Sequence, residues 1–229
     1  MSAEKPEPQP IMSPKSGHAH PKPTKSKQSV HPESYYLPRP TRYVPNSPYP
    51  VLIYRSVLPL PCESSTLRET FEPNDWMWGG VFAHFPNYHF HSVTHECFAV
   101  VKGSGTVLLG KGPLDKGERG IEVDLRPGDV VVLPAGVAHY ILDSDTDYSY
   151  YVVFGGLSYL YVTNSAQGSP HWDNNTCDAS MEETALKAET ARHVPIPNLD
   201  PLFGKGGPLV QIWEHAGKAV VPYPAYGEQ

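Results

Sequence analysis

The apolar positions of this chain fall into short runs punctuated by glycine and proline. Val130-Val131-Val132-Leu133 reads as a buried strand between the turns Pro127-Gly128-Asp129 and Pro134-Ala135-Gly136. Phe98-Ala99-Val100-Val101 is a second apolar run, ended by Gly103, and Pro50–Leu58 reads as the first long strand. Ile121, Val123 and Leu125 alternate with Glu122, Asp124 and Arg126, the pattern of a strand with one face in water. Thr106–Leu109 is its expected partner across the Gly- and Lys-rich loop 110–120. Tyr148–Phe154 and Tyr159–Thr163 are two more β-runs, divided by Gly155-Gly156. Short strands with Gly/Pro turns at this frequency predict an all-β antiparallel sandwich or barrel.

Helical signals are few. Ser64–Phe71 predicts a short helix inside the polar stretch Cys62–Asp75. Ser180, with Glu183 three residues on, predicts a capping box that opens a helix running through Ala191. Met181, Ala185, Leu186 and Ala188 are its modest apolar residues. Val194–Pro208 is rich in Pro and Gly, and Leu209–Trp213 reads as a short strand or packed segment.

Length and charge narrow the picture. The 229 residues suit one globular domain with extensions, and the net charge of -6 is no electrostatic match for nucleic acid. No apolar run approaches a transmembrane helix, so no membrane partner is expected. The N-terminus, MSAEKPEPQP, lacks the apolar core of a secretory signal. Three scattered cysteines (Cys62, Cys97, Cys177) argue for a reducing compartment, hence the cytoplasm. Residues 1–33 hold Pro, Lys, Ser and His with almost no large apolar side chain, and are expected to be a disordered, solvated tail. His18 and His20 in that tail have no carboxylate or glycine framework around them.

The candidate chemistry begins at His89. His89, His91, Glu96 and Gly103 make the pattern H-x-H-x4-E-x6-G, and Gly128, Pro134, Gly136 and His139 make G-x5-P-x-G-x2-H. On a strand, residues two apart share a face, so His89 and His91 project together while Phe90 faces away. The even-odd mismatch before Glu96 requires a turn or bulge at 92–95. The two halves read as one metal site of three imidazoles and one carboxylate from neighbouring strands. His95 is left open: a ligand in place of Glu96, a residue behind the ligands or at the pocket rim, or a structural one. Cys97, next to Glu96, should point away from the metal by strand alternation. Trp76, Trp78, Phe82, Phe85 and Tyr88 are near enough in sequence to line a pocket, plain core being the alternative.

On these residues the chain resembles the cupin superfamily. It departs at Ala83, where a glycine often stands, and at Asp143, where the family usually has Asn; neither is a ligand position. The stretch His91–Glu96 and the tail Asp200–Trp213 are similar to YjlB-type cupins of bacteria and fungi. The resemblance implies a single-cupin jelly roll, a double-stranded β-helix barrel, over 34–165. A C-terminal extension with one short helix, 166–229, would pack on the barrel or across a homodimer interface. It also implies the metal ligands His89, His91, Glu96 and His139.

Imidazole and carboxylate donors together suit Fe(II) or Mn(II) by preference, and also Ni(II), Cu(II) or Zn(II). Four protein ligands on a six-coordinate ion leave two open positions for a small-molecule substrate or O₂. The expectation is a metal-dependent oxidoreductase, dioxygenase-like, acting on a small aromatic or enolic metabolite, with Glu96 as a catalytic base; specialised-metabolite biosynthesis is the setting the resemblance suggests. Redox-neutral isomerisation, decarboxylation or cyclisation uses the same ligands. A non-catalytic metal- or ligand-binding cupin is the third class, and the fold does not choose among them.

Overall fold

The computed structural model describes residues 30–37, 39–118, 120–156 and 172–218. Two antiparallel sheets face each other. The larger runs β1 (Glu33–Tyr35), β2 (Val51–Tyr54), β8 (Val130–Leu133), β5 (His95–Lys102), β10 (Ser149–Gly155), β3 (Met77–Phe82). The smaller runs β11 (Asn175–Thr176), β4 (His89–Phe90), β9 (His139–Ser144), β6 (Gly105–Leu109), β7 (Ile121–Leu125). This is the cupin jelly roll.

The run-together apolar strands belong to the larger sheet because both of its faces are buried. Its inner face sends Val51, Ile53, Phe98, Val100, Val131, Leu133 and Val152 against Val107, Leu109, Val123 and Ile141 of the smaller sheet. Its outer face sends Leu52, Tyr54, Cys97, Ala99, Val130 and Val132 under a layer of helix and loop carrying Leu67, Phe71, Trp76, Phe203, Leu209 and Trp213. The smaller sheet has one wet face, hence the alternation in Ile121–Leu125.

Helix α1 (Ser64–Phe71) inserts Leu67 and Phe71 into that outer layer. Helix α2 (Met181–Arg192) starts at the expected capping box: Ser180 Oγ accepts from Glu183 N, and Glu183 accepts from Ser180 N. Its buried residues are Thr184, Ala188 and Ala191, while Met181 and Leu186 are exposed. Helix α3 (Pro208–Gly217) covers the larger sheet with Leu209 and Trp213, whose Nε1 donates to Pro50 O at 3.0 Å.

Several expectations change. Leu209–Trp213 is a packed segment as one alternative had it, but helical rather than a strand, so the described part of the C-terminal region carries two helices instead of one. Pro208 at the first turn, with Gly207 before it, starts this helix, since proline's missing N–H is an orphan there anyway. The first strand of Pro50–Leu58 is only Val51–Tyr54, because Ser56 adopts a positive φ and the chain turns. Residues 30–33, expected to belong to the tail, are part of the fold: Val30 is buried in the outer layer, and Glu33–Tyr35 pairs with β2. The barrel does not stop at 165, because β11 joins the smaller sheet beside β4. The rest of the tail, with His18 and His20, and the run Tyr159–Thr163 lie outside the described residues. No helix among the described residues is long and apolar enough to cross a membrane.

Candidate metal centre

The jelly roll brings His89, His91, Glu96 and His139 together, all buried, with one ligand atom from each lying within 4.8 Å of all the others. They come from both sheets. His89 on β4 is the Cα partner of His139 on β9, so the ladder itself sets two imidazoles side by side. The chain then crosses from the smaller sheet to the larger through the bend at 92–94, and Glu96 enters from β5 opposite them. The turn required by the spacing is therefore a sheet change. Phe90 faces away, into the cluster of Val44, Ala138 and Cys177.

Short backbone links hold the loops in place. Gly136 N donates to His91 O at 2.8 Å, and Asn46 N donates to Gly136 O at 2.9 Å. Gly136 has φ +89, and a Cβ there would lie 2.7 Å from Asn46 O, so the P-x-G turn that feeds His139 inward needs glycine on both counts.

The protonation pattern fits a cation. His89 Nδ1 lies 3.1 Å from Asn87 O, His139 Nδ1 3.3 Å from Val137 O, and His91 Nδ1 against Asp173 O. A carbonyl can only accept, so each Nδ1 carries a proton and Nε2 is the nitrogen each ring turns towards the cluster. The Nε2 atoms of His91 and His139 lie 2.8 and 3.1 Å from Glu96 Oε2. His139 Nε2 and Glu96 Oε2 are both buried without a hydrogen-bond partner. Acceptors converging without a donor are costly in a dry site, and a divalent ion among them resolves the conflict. The cluster could hold a divalent metal.

The titration behaviour of the metal-free site agrees. Burial, with the neighbouring imidazoles His139 and His91, depresses His89 to about 3, keeping it neutral. Burial disfavours charge on His91 too, but Glu96 beside it outweighs this and raises it. Burial likewise works against a charged Glu96, yet His139 and His91 hold its carboxyl well below the usual carboxylate range.

His95 is settled by alternation along β5. It faces the outer layer, accepts from Ala135 N at Nδ1 (2.9 Å) and donates from Nε2 to Pro195 O (3.1 Å). Both ring nitrogens are used and the ring packs on Trp213, 4.7 Å between centroids. It is structural. Cys97 also faces the outer layer, where burial pushes its thiol well up.

A pocket opens on the cluster, about 370 Å³ including its mouth, lined by Phe82, Phe85, Tyr150, Phe154, Trp172 and Asn174 among others. Of the aromatics singled out by sequence, Phe82 and Phe85 line it. Trp76 is core and donates to Leu199 O, Trp78 packs on Tyr151 outside, and Tyr88 stacks on Tyr140. Tyr150, Phe154, Trp172, Asp173 and Asn174 were not singled out. The period-2 pattern of Tyr150, Val152 and Phe154 was the available signal for β10, since one face of that strand carries Tyr150 and Phe154 to the pocket. Nothing in the sequence pointed to 172–174.

A cupin-domain family model matches residues 82–154, which contain all four residues of the cluster. With the jelly roll and the paired motif, this makes the chain similar to proteins of the cupin superfamily. Within it, the chain is similar to the uncharacterized protein YjlB of Bacillus subtilis (strain 168): 28% identical over 184 residues, 79% of this chain and 96% of that protein. Among solved structures, YcfD of E. coli shares 18% identity at a TM-score of 0.29, covering 46% of this chain and only 33% of its own. RmlC from Streptococcus suis, in complex with dTDP-D-xylose, shares 14% identity at a TM-score of 0.28, covering 54% of this chain and 69% of its own.

Proposed function

We propose that this chain is a metal-dependent cupin enzyme, an oxidoreductase of the dioxygenase kind that acts on a small aromatic or enolic metabolite. One observation carries the reading: three imidazoles and one carboxylate converge, buried, beside a pocket walled by Phe82, Phe85, Phe154 and Trp172. His89, His91 and His139 would hold the ion through Nε2, and Glu96 through its carboxylate. A bound Fe(II) or Mn(II) would supply Lewis acidity and a redox partner for O₂.

The chain's own groups have separate tasks. The aromatic walls bind a flat ring and exclude water. Tyr150, whose phenol is pushed up by burial and then by the Glu96 charge, stays protonated and is a hydrogen-bond donor. Glu96 is a poor base while both imidazoles face it. To accept a proton from a substrate hydroxyl, its carboxylate must turn from His91 and His139 towards the pocket.

The test is elemental analysis of anaerobically purified protein beside a His89→Ala/His91→Ala control, then O₂ uptake with catechols and enolisable diketones. Near-stoichiometric iron or manganese, absent from the control, with substrate-dependent O₂ uptake supports the reading. Substrate turnover without O₂ uptake replaces it with redox-neutral isomerisation, decarboxylation or cyclisation. Metal that exchanges no coordinated water would instead support a binding protein.

A further inference from the structure

His91 is supported differently from the other two imidazoles. His89 and His139 each meet a carbonyl two residues upstream, Asn87 and Val137. His91 Nδ1 meets the carbonyl of Asp173, 82 residues away. Its orientation therefore depends on a strap, Trp172–Thr176, that arrives from another part of the chain.

The strap alternates. Trp172 and Asn174 line the pocket, whereas Asp173 and Asn175 turn to the chain around the 92–94 bend. The Asp173 carboxylate accepts from Ser92 N at 2.8 Å, from Ser92 Oγ, from Val93 N at 3.3 Å and from Asn175 Nδ2 at 2.6 Å. Lys187 Nζ of α2 lies 3.5 Å from it. Asn175 Nδ2 also donates to Phe90 O, and β11 extends the ladder on β4. On the pocket side, Trp172 stacks on Phe154 (4.9 Å, 12°), and Phe154 meets the His91 ring edge-on at 5.1 Å. The strap thus grips His91 twice, through the Asp173 carbonyl and through the Trp172–Phe154 pair.

We propose that Asp173 is a positioning residue of the metal centre: its carboxylate latches the strap to the 92–94 bend, so that seating the metal and setting the Trp172 wall are one event. This rests on the reading that the cluster holds a metal. Truncating the side chain frees the strap, and with it the carbonyl that fixes the His91 tautomer and ring plane.

The experiment uses full-length protein stripped of metal. Co²⁺ is titrated and followed by its visible absorption, and Zn²⁺ is titrated and followed by tryptophan fluorescence. The variants are Asp173→Ala, Asp173→Asn, Ser92→Ala and Trp172→Phe. Wild type should bind Co²⁺ and show a Zn²⁺-dependent fluorescence change that Trp172→Phe lacks. Asp173→Ala should bind Co²⁺ about 10–100-fold more weakly, with an altered absorption band and no Zn²⁺ response. Asp173→Asn, which keeps an acceptor for Ser92 N, and Ser92→Ala should fall between, and they carry the test if Asp173→Ala does not fold. Wild-type Co²⁺ affinity and spectrum in all three latch variants would overturn the proposal, as would weaker Co²⁺ binding with the Zn²⁺ response intact. Wild type that binds no Co²⁺ would overturn the metal reading itself, and this proposal with it.

Discussion

His89 and His139 are paired residues of one β-ladder, with ring centroids 4.2 Å apart. Backbone hydrogen bonding, not side-chain attraction, keeps these two buried bases together. The site's geometry therefore belongs to the sheet, and its side chains can be removed without dismantling it.

Replacing His91 or His139 by Ala should lower metal affinity by more than about two orders of magnitude, since loss of an outer partner alone costs 10–100-fold. Circular dichroism should be unchanged, because the surrounding strands keep their apolar contacts. Full metal occupancy in either variant, measured by elemental analysis, would show that the ligand set is wrong.

Acid should weaken the metal-free fold in a defined window. His89 and His95 fall from 6.5 to about 3 and about 4 in the folded chain, with burial the leading cause for both. Below pH 6.5 the unfolded chain therefore binds protons that the folded chain refuses. Stability is lost as pH falls from 6.5 towards 4, by up to about 1.4 kcal/mol per pH unit for each group. His91 is raised and opposes this: its contribution is complete below 6.5 and is lost as pH rises through its folded value. Urea unfolding at pH 7.5, 6 and 5 should give a smaller acid loss for His95→Gln than for wild type, and equal slopes would rule out the His95 contribution.

Asp200 anchors the C-terminal layer. Fully buried, it accepts from Tyr54 Oη (2.7 Å) and from the backbone N–H groups of Leu202, Phe203 and Leu209. Asp200→Ala strands all four donors and should cost about 3 kcal/mol or more, whereas Tyr54→Phe should cost about 1 kcal/mol. Chemical denaturation checks both, and a Tyr54→Phe loss as large as that of Asp200→Ala would contradict this account.

Gly136→Ala should disturb the site from outside it. The added Cβ combines a left-handed φ with a 2.7 Å approach to Asn46 O, a cost of at least about 2 kcal/mol. Because Gly136 N also holds His91 O, metal content should fall along with the unfolding midpoint. A variant with unchanged midpoint and occupancy would show that the turn relaxes freely.

The cluster of His89, His91, Glu96 and His139 was legible through the two-part motif that the chain shares with cupins, while local rules of same-face alternation, one bend and glycine-marked turns accounted for its spacing but left His95 open. The helix at α2 was legible for the same reason, its capping box being complete within four residues. Leu209–Trp213 was read as a short strand or packed segment; it is packed, but as helix, because five apolar-rich positions are too few for periodicity to separate helix from strand and Pro208 was the better signal. Trp172, Asp173 and Asn174 were illegible for a deeper reason. They have no periodicity of their own, and their pairing with Ser92 and His91 exists only in three dimensions.

The strap lies after the cluster along the chain. Every donor of the cluster has been synthesised by His139, while Trp172 and Asp173 follow only after β10 is complete. In chain order the full donor set thus precedes the Trp172 wall and the Asp173 latch. A chain ending before Trp172 would carry every donor of the cluster yet lack the carbonyl that meets His91 Nδ1.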